Sequence, residues 1–270
     1  MKLTDLPQPS VAGVVREKTV ADAIAEISNC LYDGADMIDL HMSCLDDPSE
    51  ENLKRIISST TLPVLALNYN QKLDWSNAGY TEEEREDLFI RAIKAGAKGV
   101  DIQGYTFDLP SRSGYVGEDK YSFTKNNPKE IVTDKRIIQK QMDFINKIKD
   151  MGGQVLLSCH PNVVMNCDQV VDLALFLQER NPDIIKIVTA SKTNDDLLES
   201  FKTMIALKEK VKTPVTYHVN GKVGKLSRII NPILGGHIAF CVDRYKSGST
   251  MEQLDLKSAR RMVDDLKKLL

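Results

Sequence analysis

The sequence is poor in the features that indicate disulfide-stabilised, membrane-bound or nucleic-acid-binding proteins. Its five cysteines are an odd number and include no CxxC pair, which argues against a disulfide framework and a structural zinc site. With 36 basic and 38 acidic side chains, the formal net charge is −2 and does not call for nucleic acid. No stretch approaches the roughly 20 apolar residues of a membrane span, and no early apolar run has the length of a signal peptide. We therefore expect a cytoplasmic protein without membrane or nucleic-acid partners.

Apolar runs of strand character alternate eight times with segments of helical character. Strict alternation predicts a parallel sheet with helices outside it, and eight repeats predict an α/β fold of the (β/α)8 TIM-barrel type. An open Rossmann sheet would need a glycine-rich fingerprint after the first strand, and "VAGVVREKT" has none. Barrels of this size commonly form one unit, so we predict a single domain over 1–270. The predicted strands are 11–15, 36–43, 62–69, 99–104, 154–160, 183–190, 214–219 and 237–242.

Helix ends and one long loop complete the predicted organisation. The segments "TVADAIAEISNCLYDG" and "TEEEREDLFIRAIKAG" each begin at a threonine that can cap a helix and end at a glycine that can stop it. The Gly-, Pro- and Ser-bearing stretch 104–129 follows strand four. Loops on that side of a barrel build active sites, so this loop is either a lid or an excursion that covers the surface or contacts another subunit.

Two neighbouring strands of the predicted barrel carry groups suited to carbonyl chemistry. Lys186 lies among aliphatic residues in "DIIKIVTA", where desolvation disfavours the ammonium form and favours an amine that attacks a carbonyl. The alternative is a structural lysine paired with a carboxylate. His160 follows "QVLLSC" in phase with Ser158, and a proline then stops the strand. A barrel therefore points His160 inward beside Lys186, where an imidazole can carry protons.

The other strand ends are polar as well. Polar groups at one end of a core are costly unless they line a wet pocket. The candidates are Asp39, His41, Asn68, Asp101, Gln103 and His218. Carboxylates and imidazoles also ligate divalent metals, but no HxH or HExxH spacing supports such a site. We predict no metal and no cofactor, and a metal-dependent hydrolase or isomerase barrel stays as an alternative.

Three segments resemble a known family. "SCHP", "DIIKIVTA" and above all "NGKVGKLSRIINPILGGHIAFCV" resemble type I 3-dehydroquinate dehydratase, a (β/α)8 lyase of the shikimate route to aromatic amino acids that uses a Schiff base. The resemblance starts at about residue 11 and is most specific after residue 150. It implies that Lys186 forms an imine with the substrate ketone and that His160 removes the adjacent proton and protonates the departing hydroxyl. It also implies that Arg228 holds the substrate carboxylate and that Ser249 and Gln253 reach the substrate from a closing loop.

Other positions depart from the family pattern. The family has a Glu and an Arg on strand two that bind substrate hydroxyls, where this sequence has Asp39 and His41. It has an Arg on strand three and a Glu four residues later, where this sequence offers Asn68 and Lys72. A methionine on strand seven is replaced by His218. The groups that make an imine, move a proton and hold a carboxylate are present, whereas the set that binds ring hydroxyls is largely replaced.

The residues and the resemblance together predict a Schiff-base-forming carbon–oxygen lyase. Its substrate is expected to be 3-dehydroquinate, converted to 3-dehydroshikimate, or a related hydroxylated keto carboxylate. The resemblance also implies a homodimer, since relatives are often dimers. A non-catalytic descendant that binds a carboxylate is a further alternative, although a pure binder has little use for a desolvated amine.

Overall fold

Parallel strands follow one another around a barrel in chain order, with the helices outside. The structure is a computed structural model that describes residues 1–69, 80–107, 132–161, 163–246 and 251–268. Parallel ladders join each neighbouring pair from β1 to β7 and also join β1 to β8. The predicted (β/α)8 architecture is confirmed. The strands are β1 (Ser10–Val15), β2 (Met37–His41), β3 (Val64–Leu67), β4 (Gly99–Gln103), β5 (Gln154–Cys159), β6 (Ile184–Ala190), β7 (Val215–Asn220), β8 (Ile238–Val242) and β9 (Leu254–Asp255).

The helices begin at capping side chains. Thr19 caps α1, and Thr81 forms a capping box with Glu84 at the start of α3. The glycines expected to stop these helices, Gly34 and Gly96, have φ angles of +90° and +109°. Across the described ranges, no helix is both long and apolar enough to cross a membrane. The helices are α1 (Val20–Tyr32), α2 (Glu50–Ile57), α3 (Glu82–Lys94), α4 (Lys135–Asp150), α5 (Cys167–Gln178), α6 (Asn194–Lys210), α7 (Ser227–Ile233) and α8 (Leu256–Lys267).

Strand alternation divides the apolar residues into two layers. One layer lies between the sheet and the helices. The other fills the inside of the barrel with residues of alternate phase and with two leucines of the N-terminal segment. The inner phase therefore fixes which strand-end side chains face the barrel interior. The inner layer comprises Leu3, Leu6, Ala12, Val14, Met37, Leu65, Leu156, Ile184, Ile238 and Phe240.

The barrel is less regular where β7 meets β8, two strands that are described in full. Their contact is a backbone hydrogen bond from His237 to the carbonyl of Val215 (2.9 Å), with a second bond from the Ile238 amide to Thr216 Oγ1 (3.0 Å). No ladder is formed between these two strands. The short strand β9, which the sequence did not predict, pairs with the far end of β8. The end of the chain thus returns to the carboxyl edge of the barrel.

Buried side chains hold the two ends of the long loop after β4. Gln141 donates to the carbonyls of Gly104 (3.0 Å) and Thr106 (2.7 Å). The fully buried Arg180 donates to Gln141 Oε1 (2.8 Å) and to the Val132 carbonyl (2.8 Å). Residues 108–131, and with them most of the predicted 104–129 loop, lie outside the described residues. The single-domain prediction stays a prediction.

Candidate active site

Lys186 lies inside the barrel and is 6% exposed. The strand register places it beside Ser158 of β5 and Thr216 of β7. Its Nζ atom is 3.5 Å from Asp101 Oδ2 and 4.1 Å from the centre of the Phe240 ring. A carboxylate on one side and an aromatic face on the other fix the position of the amine. Lys186 therefore faces the barrel interior, and it has the carboxylate partner that the structural alternative expected.

Asp101, the partner of Lys186, titrates in an unusual range. Burial raises the pKa of Asp101 to about 6, although Lys186 and a 2.5 Å hydrogen bond from Ser158 Oγ oppose the shift. A carboxyl group that titrates near neutral pH and lies next to an amine can exchange a proton with it. Sequence analysis identified Asp101 as a polar strand end but not as the partner of Lys186.

His160 lies just past the end of β5, where Pro161 prevents the strand from continuing. It lies two residues after Ser158, so its side chain also faces the barrel interior. Because Ser158 pairs with Lys186, His160 is closer than Lys186 to the carboxyl edge of the barrel. Desolvation lowers the pKa of His160 well below its usual value, and the positive charges of Lys186 and Arg228 add to the effect. The imidazole is therefore neutral at pH 7 and can accept a proton.

Asp39 and His41 form a buried pair at the end of β2. His41 Nε2 is 3.3 Å from Asp39 Oδ2. Burial lowers the pKa of His41 to about 4, with a contribution from Arg16. Burial works against ionisation of Asp39, but His41, Lys186 and Arg16 overcome it and lower the pKa of Asp39. The pair is thus a carboxylate and a neutral imidazole, and Asp39 Oδ1 has no hydrogen-bond partner among the described residues.

Arg228 reaches the barrel interior from the start of α7. Its Nη2 donates to Asn220 Oδ1 at 2.6 Å. Burial lowers the pKa of Arg228 to about 10, so the guanidinium stays charged at pH 7. His218 lies two residues before Asn220, and its pKa is well below the usual value because of burial and the charges of Arg228 and Lys186. A charged guanidinium in a desolvated pocket can bind a carboxylate in bidentate fashion.

The "NGKVG" turn explains how Arg228 comes to this place. Gly221 has a φ angle of +108°, and a Cβ there would collide with the Ser191 carbonyl oxygen. A Cβ at Gly224 would collide with the carbonyl oxygen of Val219. The chain therefore turns tightly only with glycine at both positions. Ser227 Oγ then donates to the Gly224 carbonyl at 2.7 Å, where α7 begins.

Arg16 is a pocket residue that sequence analysis missed. It follows β1 in the inner phase of Ala12 and Val14, and its charge acts on Asp39. Its Nη2 donates to Gln253 Oε1 at 3.2 Å. Gln253, one of the predicted substrate contacts, is 6% exposed. In a strand, every second residue faces the same side. Alternation from Ala12 and Val14 therefore points Arg16 inward, but the predicted strand ended one residue earlier, at position 15.

The predicted phase of strand three is wrong by one residue. Leu65 belongs to the inner layer, so the alternation leads to Tyr69 and not to Asn68. The Tyr69 ring lies 5.7 Å from the His160 ring and 6.0 Å from the His41 ring, measured between centroids. Both faces of this strand are apolar, as in parallel sheets covered on both sides, so the sequence carries no sign of which face is inner. Asn68 is fully buried, and its predicted contact with the substrate stays a prediction.

Two further predicted contacts, Lys72 and Ser249, lie outside the described residues. The chain on either side of 247–250 is joined, because the Tyr245 hydroxyl donates to the Gln253 carbonyl at 2.7 Å. Lys225 Nζ donates to the same hydroxyl at 2.8 Å. The described ranges contain no group of three or more His, Cys, Asp or Glu residues arranged to hold a metal ion. The metal-enzyme alternative thus has no donor cluster in the part of the chain that is described.

The buried neutral histidines predict a pH dependence of stability. All four histidines have a pKa below the usual value of 6.5, chiefly because of burial. The unfolded chain then binds protons that the folded chain does not, so their contribution to stability is present above pH 6.5 and is lost as pH falls. In His218→Gln, the free energy of unfolding should depend on pH less steeply than in the wild type, by up to about 1.4 kcal/mol per pH unit, the limit approached as pH falls below 6.5. Urea unfolding between about pH 7 and pH 5 measures both slopes, and equal slopes would contradict a neutral buried His218.

Two solved structures of similar fold are 3-dehydroquinate dehydratases. The enzyme from Geobacillus kaustophilus aligns with a TM-score of 0.79 at 12% identity and covers 99% of this chain and 96% of its own. The type I enzyme from Clostridium difficile with covalently modified comenic acid aligns with a TM-score of 0.76 at 16% identity, covering 97% and 94%. At these identities the similarity shows the fold.

Curated relatives carry the same description. The bifunctional 3-dehydroquinate dehydratase/shikimate dehydrogenase of Arabidopsis thaliana is 24% identical over 270 residues, which is 95% of this chain but only 38% of that protein. The 3-dehydroquinate dehydratase of Methanothermobacter thermautotrophicus is 20% identical over 253 residues, covering 93% of this chain and 95% of that protein.

The family itself is decided by the match over nearly the full length. The sequence model described as "Type I 3-dehydroquinase" matches residues 11–269. This range includes every strand-end residue of the pocket, from Arg16 to Gln253. The resemblance that the three sequence segments indicated is confirmed: the chain belongs to the type I 3-dehydroquinase family.

Proposed function

We propose that the protein dehydrates 3-dehydroquinate to 3-dehydroshikimate through an imine at Lys186. The observation that carries the proposal is a buried lysine, held by Asp101 and Phe240, in the same pocket as a neutral His160 and a charged Arg228. The matching family model and the Methanothermobacter relative are both named for this reaction. The Arabidopsis relative is named for two activities and this chain covers only 38% of it, so only the dehydratase activity is proposed.

The reaction begins with a covalent bond to Lys186. The lone pair of Nζ attacks the ketone carbon, and loss of water leaves a protonated imine. Asp101, with a pKa of about 6 and 3.5 Å from Nζ, takes the ammonium proton before the attack and returns it to the hydroxyl that leaves as water. The imine withdraws electrons from the neighbouring carbon, so the proton on that carbon becomes acidic enough for a neutral imidazole to remove.

His160 then completes the elimination. The imidazole takes the proton and becomes an imidazolium, and the electron pair moves into the enamine. The imidazolium returns the proton to the hydroxyl on the β carbon, which leaves as water while the carbon–carbon double bond forms. Hydrolysis of the conjugated imine releases the enone and restores the amine of Lys186. Atoms balance as one water lost from the substrate, with no oxidation or reduction.

The remaining pocket residues are proposed to hold the substrate. Arg228 binds the carboxylate, for which a guanidinium anchored by Asn220 is suited. Asp39 Oδ1 is available to accept a hydrogen bond from a substrate hydroxyl. Arg16 and Gln253 lie against each other and connect β1 to the returning chain. We also propose that the protein is a homodimer and that it is located in the cytoplasm. Sedimentation of the purified protein tests the homodimer.

Conversion of 3-dehydroquinate tests the proposed function directly. The product is a conjugated enone, so its formation is followed by ultraviolet absorbance and its identity by mass spectrometry. The proposal predicts turnover that is unchanged after prolonged treatment with a chelator. Turnover that disappears on chelation and returns with a divalent metal would support the metal-enzyme alternative. Tight binding of 3-dehydroquinate without turnover would support the non-catalytic alternative.

A further inference from the structure

Tyr69 is the described residue that joins the two histidines on either side of the pocket. It follows β3 in the inner phase, and its ring contacts those of His41 and His160. Its hydroxyl oxygen lies 3.3 Å from His160 Nε2. The mechanism above uses His160 as the proton carrier but assigns no role to the phenol. The Tyr69 hydroxyl is therefore within hydrogen-bonding distance of Nε2 of His160, the residue proposed to move the substrate proton.

The contact between Tyr69 and His160 affects where the neutral imidazole carries its proton. A neutral imidazole carries its proton on only one of its two nitrogens, and the other nitrogen is the base. A hydroxyl bonded to Nε2 biases which nitrogen has the proton and also fixes the rotation of the ring. His160 is neutral at pH 7, because desolvation and the charges of Lys186 and Arg228 lower its pKa. The phenol thus acts on the form of the imidazole that carries out the reaction.

The backbone next to Tyr69 is held rigidly. Arg85 of α3 is 1% exposed, and its Nε and Nη2 donate to the Asn68 carbonyl at 3.3 and 3.1 Å. Glu82 pairs with Arg85 Nη1 at 2.7 Å, and Gln103 Oε1 accepts from Arg85 Nη2. A buried, multiply bonded arginine therefore fixes the peptide that precedes Tyr69. A side chain on such a support can hold its partner in one orientation.

We propose that Tyr69 is a positioning residue that orients the His160 imidazole for proton transfer. This inference rests on the proposed dehydratase function, since it assigns Tyr69 a part in that reaction. It gives a role to the residue after Asn68, for which the sequence analysis predicted a contact with the substrate. Tyr69 acts through His160 and not on Lys186, so imine formation does not depend on it.

The variant Tyr69→Phe keeps the ring and removes only the hydroxyl. We expect kcat for 3-dehydroquinate to fall about tenfold with KM changed less than about twofold, because ring orientation matters in the transition state more than in binding. Trapping of the lysine imine by borohydride should be as efficient as in the wild type. Tyr217→Phe is the matched control, since its buried hydroxyl bonds to Thr189 (3.1 Å) in the outer layer, and it should keep the wild-type kcat.

A spectroscopic measurement separates this inference from the proposed function. In protein labelled with ¹⁵N-histidine, the ring nitrogens of His160 are identified by their loss in His160→Gln, and their shifts report which nitrogen is protonated. Tyr69→Phe should change these shifts, and Tyr217→Phe should not. If His160 shifts and kcat in Tyr69→Phe both equal the wild type, or if kcat falls without a change in the shifts, the inference is overturned. If the wild type does not convert 3-dehydroquinate while Tyr69→Phe still changes the shifts, the proposed substrate fails and the link between Tyr69 and His160 stands.

Discussion

Lys186→Met should abolish turnover, with kcat/KM lower by on the order of 10⁴-fold or more. Methionine has a side chain of similar length but no amine, so no imine can form and no electron sink exists for the α proton. Loss of the positive charge also removes a group that lowers the pKa of Asp101, so that carboxyl should titrate above about 6 in the variant. Steady-state kinetics with 3-dehydroquinate measure the effect.

Lys222→Met is the matched control for that variant. Lys222 is exposed and lies in the same "NGKVG" turn that positions Arg228. This control should keep wild-type kinetics, since its ammonium group is solvated. Thermal unfolding of both variants shows whether each folds. Turnover retained in a folded Lys186→Met protein would contradict the imine mechanism.

His160→Gln should keep imine formation and lose proton transfer. General acid–base catalysis by a positioned side chain contributes about 10²- to 10⁴-fold, and His160 has both the acid and the base role here. We therefore expect kcat to fall by about that factor while the imine still forms at Lys186. Exchange of the substrate α proton with deuterated water, followed by NMR, should slow in parallel with kcat.

His237→Gln provides the comparison for His160. His237 lies at the opposite end of the barrel, where its ring bonds to the Leu3 carbonyl (2.9 Å) and to Gln8 Nε2 (2.9 Å). Its variant should be less stable but should keep kcat. If His160→Gln exchanged the α proton at the wild-type rate, a different group would have to be the base.

Much of the fold was predictable because the sequence repeats one structural unit. Each strand is a short apolar run and each connecting helix has recognisable ends, so every predicted strand bound lies within two residues of the observed one. The inward phase of His160 also followed from sequence, since it lies two residues after the polar residue Ser158 on the same strand. These cues are local and need no knowledge of tertiary contacts.

The residues that were missed depend on contacts between distant parts of the chain. Arg16 was missed because the predicted strand ended one residue before it, and its partner Gln253 lies 237 residues away in the chain. Tyr69 was overlooked because β3 is apolar on both faces, which leaves the phase open. In the sequence, Arg85 lies among the charged residues at the start of α3, which is typical of a solvated helix end. In the structure it is buried, because Asn68, Glu82 and Gln103 surround its guanidinium. For Arg85, the burial of a charged group is thus decided by the partners of its guanidinium.

The imine at Lys186 is tested most directly by trapping it. Wild-type protein is incubated with 3-dehydroquinate and borohydride, digested, and its peptides are analysed by mass spectrometry. The account predicts a reduced covalent adduct on the peptide that contains Lys186, and no such adduct without substrate or in Lys186→Met. Turnover without any adduct, or an adduct on another lysine in an active protein, would contradict it.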